Sequence, residues 1–284
     1  GLHALIQDMK QGKKAKILIG TGHAKSTCQG AAFEYILNVE QELRRHKVRD
    51  KAEITWIANE YQFTREAQDA YAIESVRRAK AAQDSGDFDR ELTPVNVKNR
   101  KGDILVTEDE GPKNARPEKI PSLRAVFTKD GTVTAANASS INDGAAALVL
   151  MRKSEAEKGG HKILAEIVSH AAHAHEPAYF TTAPVHAMKK ALAKAEWDAG
   201  DVDLWEINEA FAVVPMIAMQ ELGLDHDVVN VNGGGCVLGH PIGASGARIM
   251  ATLIAAMEKR GAKKGVASLC IGGGEATAVC LQRA

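Results

Sequence analysis

The strongest constraint on this chain is the alternation of helical and strand patterns along residues 185–281, with glycine-rich patches where the predicted strands end. The spacing predicts an amphipathic helix over 185–195, a strand over 203–207, a helix over 212–222 and a strand over 228–231. A helix over 244–260 and closing strands over 265–271 and 276–281 follow. Such a grammar specifies an α/β fold, in which strand-end loops are where ligands bind. The opening residues read similarly, as a helix with apolar positions at Leu2, Leu5, Ile6 and Met9 and then a short buried strand from Ala15 to Gly20. Between Cys28 and Lys119 the chain is charged and irregular. One clear helix there is capped by Thr64 and followed by Gly86, so this stretch reads as an excursion packed on the core. The Asp130-Gly131 turn separates two short apolar runs, 125–127 and 132–134, and a small-residue helix is expected over Gly144 to Met151.

Charge narrows the partners. The 284 residues carry 36 Lys plus Arg and 36 Asp plus Glu, so no net charge recruits nucleic acid or an anionic membrane. The longest apolar runs are far too short to span a bilayer. Cys28, Cys236, Cys270 and Cys280 have no CxxC spacing and are too few for a disulfide framework, which predicts free thiols and a cytoplasmic address.

Three segments could carry chemistry: 208–212 (Asn-Glu-Ala-Phe-Ala), 232–246 and 270–274 (Cys-Ile-Gly-Gly-Gly). His240 has glycines on both sides and a predicted helix start just after it, giving close backbone approach and free N–H groups beside an imidazole. A tight turn with a surface histidine is the plainer alternative. Cys270 ends an apolar strand and precedes three glycines that would let a substrate reach its sulfur. Alone it would be an inert buried thiol, and its company with His240 and Asn208 is what suggests chemistry.

These segments, together with 131–139 and Asn142-Asp143-Gly144-Ala145-Ala146, resemble the signatures of the thiolase family from about Phe63 to the end of the chain. They are most similar to those of its biosynthetic acetyl-CoA acetyltransferases. The resemblance implies a layered αβαβα fold of two related halves with an inserted loop domain: 1–22 and 126–160 in the first half, 23–125 as the loop domain, 161–284 as the second half. It implies reversible Claisen condensation of two acetyl-CoA molecules, or thiolysis of a 3-ketoacyl-CoA. In that reading His240 activates a nucleophilic cysteine, and Cys270 is the acid/base at the substrate α-carbon. Asn208 holds a water that serves one oxyanion hole with His240, and the Gly272 N–H serves the other. Ser139 touches the pantetheine arm, and Phe127, Ala135, Ile141 and Phe211 line its channel. No metal or redox cofactor is implied, coenzyme A being the substrate handle, and a homodimer or homotetramer is expected.

The family nucleophile lies in Cys-x-Ser-Gly-Leu, and Gly1-Leu2 aligns with the last two residues of that motif. The sequence is therefore expected to be incomplete at its N-terminus, the alternative being a noncatalytic coenzyme A-binding or assembly subunit. The stretch from Ala24 to Thr55 departs from the family pattern and lacks its His-Met-Gly, which leaves acyl-chain preference open. Cys28 stands in unmatched surroundings and is not read as a replacement nucleophile. Lys10, Lys13, Lys14 and Lys16 read as a solvated helix end rather than a phosphate site. His170, His173 and His175 read as solvated loop histidines, because metal ligation also demands fixed geometry and a supporting shell.

Overall fold

The computed structural model describes residues 15–17, 52–54, 61, 63–127 and 131–283. The expected opening helix, Cys28, Lys10, Lys13 and Lys14 lie outside the described residues. Strands β1 (Ala15–Ile17) and β2 (Ala52–Ile54) pair in parallel. Helix α1 (Arg65–Asp84) begins where Thr64 accepts a hydrogen bond from the Ala67 N–H, the cap expected from its side chain. A hairpin of β3 (Val95–Val97) and β4 (Ile104–Val106) follows, then the short helices α2 (Glu110–Asn114) and α3 (Lys153–Lys158).

The C-terminal part is built on a four-stranded sheet of β5 (Glu166–Ala174), β6 (Leu204–Ile207), β7 (Lys264–Ile271) and β8 (Glu275–Gln282), in the order β5-β8-β7-β6. β6 and β7 are parallel, and β8 runs antiparallel to both β7 and β5. Helix α4 (Ala183–Ala195) joins β5 to β6. Helix α5 (Val213–Leu222), the single turn α6 (Gly235–Leu238) and helix α7 (Ser245–Arg260) lie between β6 and β7. Side chains alternate along each strand. Val266, Cys270, Ala276, Ala278 and Cys280 pack with Met188, Leu192 and Ile217 of α4 and α5. Ala267 and Leu281, with Leu269 and Val279 beside them, pack instead against Ile249, Leu253 and Met257 of α7. Both faces are thus covered, which is why these strands read as continuous apolar runs. Gly265 lets α7 approach, since a Cβ there would lie 2.6 Å from the Met257 sulfur.

Three sequence expectations are corrected. Gly144–Met151 forms no helix: the segment is irregular, with Val149 87% exposed and Leu150 68% exposed. A short, uniformly apolar run has no helical periodicity to impose one face, and here no neighbouring element covers it among the described residues. Residues 228–231 make isolated bridges rather than a strand. Asn230 adopts a φ of 47°, and its side chain substitutes for the missing ladder, accepting from the Ile207 N–H at 2.7 Å and donating to the Ile207 carbonyl at 2.8 Å. Finally, His170 and His173 belong to β5 and His175 directly follows it, so they are not on a loop. Alanine and histidine are weak strand formers, and pairing with β8 decides the matter.

Glu206 of β6 is 2% exposed, with Arg248 of α7 3.3 Å away. Burial raises its carboxyl to about 8 against the opposing pull of Arg248, while Glu209 and Glu91 push in the same direction as burial. A folded-state value above the unfolded one means that stability present below about 4.5 is lost as pH rises through about 8. Glu206→Gln is expected to flatten that decline, on the order of a few kcal/mol, in urea unfolding at several pH values. An unchanged slope would show that Glu206 is ionised throughout.

Candidate active site

The ends of β6 and β7 bring the sequence-derived residues onto neighbouring connections. Asn208 leaves β6, and its N–H donates to the Ser268 carbonyl at 2.9 Å, two residues before Cys270. The segment 137–141 threads across this end. Ala212 N–H donates to Asn137 O at 2.8 Å, Ser139 N–H donates to Ala210 O at 3.0 Å, and His240 N–H donates to Ser140 O at 3.0 Å. Helix α7 then starts at Ser245, and Gly246 lies against Leu269 of β7.

His240 is 6% exposed, so it is not a surface turn residue. Its Nδ1 is 2.5 Å from Ser245 Oγ, and that hydroxyl donates to the Pro241 carbonyl at 3.1 Å. With the single hydroxyl proton committed to a carbonyl that can only accept, Nδ1–H is the donor to Ser245 and Nε2 keeps its lone pair. Burial, then the Arg248 charge, lowers the imidazole to about 4. It is a neutral base over the whole physiological range.

Cys270 is 1% exposed, and burial pushes its thiol up to about 12. Asn208 is equally buried, and neither its Oδ1 nor its Nδ2 has a hydrogen-bond partner among the described residues. A buried carboxamide with both ends unpaired is expensive in a protein interior unless water or a ligand meets it. Gly272 sits half-buried in the turn between β7 and β8. Ser139 Oγ donates to the Ala210 carbonyl at 3.1 Å. Phe127 and Phe211 come together, ring centroids 6.4 Å apart, with Phe180 6.0 Å from Phe211. Ala135 and Ile141 are exposed, Ile141 at 76%, although Ile141 bridges His240 through the backbone.

The buried carboxylate of Glu209 was not singled out by the sequence reading. Its oxygens accept from Tyr71 Oη at 2.9 Å, Ser75 Oγ at 2.8 Å, Asn230 Nδ2 at 3.0 Å and the Cys236 N–H at 3.0 Å. This joins α1 to the loop before His240. A Cβ on Gly234 would lie 2.4 Å from Glu209 Cδ, and one on Gly233, whose φ is 74°, would lie 2.5 Å from the Ser75 carbonyl. The signal that could have found it was the run of glycines itself, which marks close packing against something bulky.

Comparison with known proteins decides the family. The profile described as thiolase, N-terminal domain, matches residues 52–154, and that described as thiolase, C-terminal domain, matches 161–283. The chain belongs to the thiolase family. An acetyl-CoA acetyltransferase of Rhizobium meliloti is 49% identical over 228 residues, 80% of this chain and 58% of the relative. The crystal structure of the Bacillus anthracis acetyl-CoA acetyltransferase is similar with a TM-score of 0.77 at 43% identity, covering 80% of this chain and 58% of that one. A thiolase from Ascaris suum in complex with coenzyme A gives a TM-score of 0.70 at 43% identity, over 79% of this chain and 57% of its own. The thiolase-like α/β fold follows from this similarity. The chain spans somewhat under three-fifths of the length of these thiolases.

Proposed function

We propose that this thiolase chain supplies the general base, the acid/base thiol and the oxyanion-stabilising groups of an acetyl-CoA C-acetyltransferase. The observation that carries the reading is a buried trio: His240, Cys270 and an Asn208 whose carboxamide has no partner among the described residues, with Asn208 and Cys270 at the ends of β6 and β7 and His240 just before α7. His240 Nε2 accepts the proton of an attacking cysteine thiol, which takes the acetyl group from the first acetyl-CoA and releases coenzyme A as its thiolate. Cys270 gives its proton to that departing sulfur. The thiolate left behind, of a thiol raised to about 12, is a stronger base than one at the ordinary 9, and it removes a proton from the methyl carbon of the second acetyl-CoA. The enolate oxygen is held by His240 and a water on Asn208, while the Gly272 N–H serves the thioester oxyanion of the acetylated cysteine. Attack of the carbanion on that thioester forms acetoacetyl-CoA and expels the cysteine as a thiolate, which takes its proton back from His240 Nε2; thiolysis is the same path reversed. Ser139, Phe127, Ala135, Ile141 and Phe211 are assigned to the pantetheine path. The acetyl-CoA acetyltransferase relatives and the coenzyme A-bound Ascaris structure support acyl-CoA substrates. The reading includes a homo-oligomer and a cytoplasmic address, and no helix among the described residues is long and apolar enough to cross a membrane.

The test is to trap an acetyl-enzyme with labelled acetyl-CoA, alongside the intact mass and N-terminal sequence of the purified polypeptide. A cysteine-borne acetyl group supports the reading, and binding of coenzyme A with no adduct assigns the chain to a noncatalytic subunit. The rate of acetylation is expected to hold from pH 7 down through pH 6 and to fall only toward about 4, because only then does His240 take up a proton. A decline centred near 6.5 would contradict a buried neutral base. His240→Asn is expected to slow acetylation and condensation alike, by roughly 10²–10⁴.

A further inference from the structure

Strand periodicity puts His173 and His175 on the same side of β5 as Ala171, which packs in the core shared with α4. His186 comes from the first turns of α4 and is exposed there. One ligating atom from each of the three imidazoles can be chosen so that all lie within 4.8 Å of one another. The ring centroids of His173 and His186 are 4.5 Å apart.

The hydrogen bonds orient two of the rings. His175 Nε2 is 2.7 Å from the Tyr179 carbonyl, which can only accept, so Nε2 carries the proton and Nδ1 presents its lone pair. That Nδ1 is 3.3 Å from His173 Nε2. Two nitrogens bound tetrahedrally to one divalent ion at about 2.0–2.1 Å lie about 3.3–3.4 Å apart, so this pair already spans one edge of such a site. The backbone carbonyl on the far nitrogen of His175 is the supporting contact that metal-bound histidines use. His186, on an exposed helix surface, can swing inward to close the third position, leaving a fourth open to water.

We propose that His173, His175 and His186 form a three-histidine site for a divalent transition ion of the zinc, cobalt or nickel type, pinning β5 to α4. Lys190 is its competitor. Its ammonium donates to His173 Nδ1 at 3.0 Å and orients the Nε2 proton toward His175; a metal on Nε2 moves the proton to Nδ1 and displaces Lys190 into solvent. The site abuts the proposed catalytic turn, since the His175 N–H donates to the Gly274 carbonyl at 3.1 Å.

Untagged, chelator-treated protein titrated with Co²⁺ is expected to bind one ion at this site with the strong visible absorption of low-coordinate cobalt. His186→Ala, at an exposed position, is expected to keep the wild-type circular dichroism and weaken binding by roughly tenfold or more. His170→Ala, on the opposite face of β5, is expected to bind as wild type does. Absence of that absorption in the wild type, or equal absorption and affinity in wild type and His186→Ala, overturns the site.

Discussion

Cys270→Ala is expected to stop carbon–carbon bond formation while leaving cysteine acetylation measurable. The two half-reactions ask different things of this thiol. In the proposed reaction, acetylation has it donate a proton to coenzyme A sulfur, a good leaving group that water can protonate instead. In the proposed condensation it would take a proton from carbon, which water does not do, so the loss should reach at least about 10⁴ there and far less in acetylation. Unfolding does not confound the comparison. The side chain is small and packs among Ala276, Ala278 and Val266, and removing one sulfur costs roughly 1 kcal/mol. Separate assays of acetyl-enzyme formation and of acetoacetyl-CoA formation read the two effects. Equal loss in both would remove Cys270 from the acid/base role.

Glu209→Ala should be the most damaging single change to stability, with about 3–5 kcal/mol lost in urea unfolding. The carboxylate is fully buried and accepts from Tyr71, Ser75, Asn230 and the Cys236 N–H. Deleting it strands several donors in the interior at once, and each unpaired group costs about 1–3 kcal/mol. The same network adjoins the proposed site, since Cys236 begins the stretch leading to His240 and Asn208 is the residue next to Glu209. A well-folded Glu209→Gln should therefore lose activity as well, because its amide nitrogen must face a donor. A cost below about 1 kcal/mol for Glu209→Ala would mean that water replaces the carboxylate. Gly234→Ala is expected to mimic the defect, because the added methyl occupies the place of Glu209 Cδ.

The alternating pattern of residues 185–281 was legible because both faces of the sheet are covered, so strands appear as apolar runs and α4 and α7 as amphipathic periods. The three strand-end segments were legible because close packing and chemistry each restrict residue type: only glycine fits beside Glu209, and only a few side chains transfer protons. What escaped the sequence depended on distant partners. Asn230 ends a would-be strand through its own φ and then repairs the ladder with its side chain. The apolar residues 145–151 could suit a helix or a strand, and without a covering partner among the described residues they form neither. His173 and His175 are a local pattern, but His186 reaches them only when α4 folds back on β5. The amino-acid sequence by itself determined the α/β class, the thiolase resemblance and the identities of His240, Cys270 and Asn208, because these rest on residue type and order. Only the tertiary structure decided that His240 is buried with its imidazole held well below the ordinary range, that Asn208 has both amide ends unpaired among the described residues and that Glu209 collects four donors, because burial and hydrogen bonding arise between segments far apart in the chain.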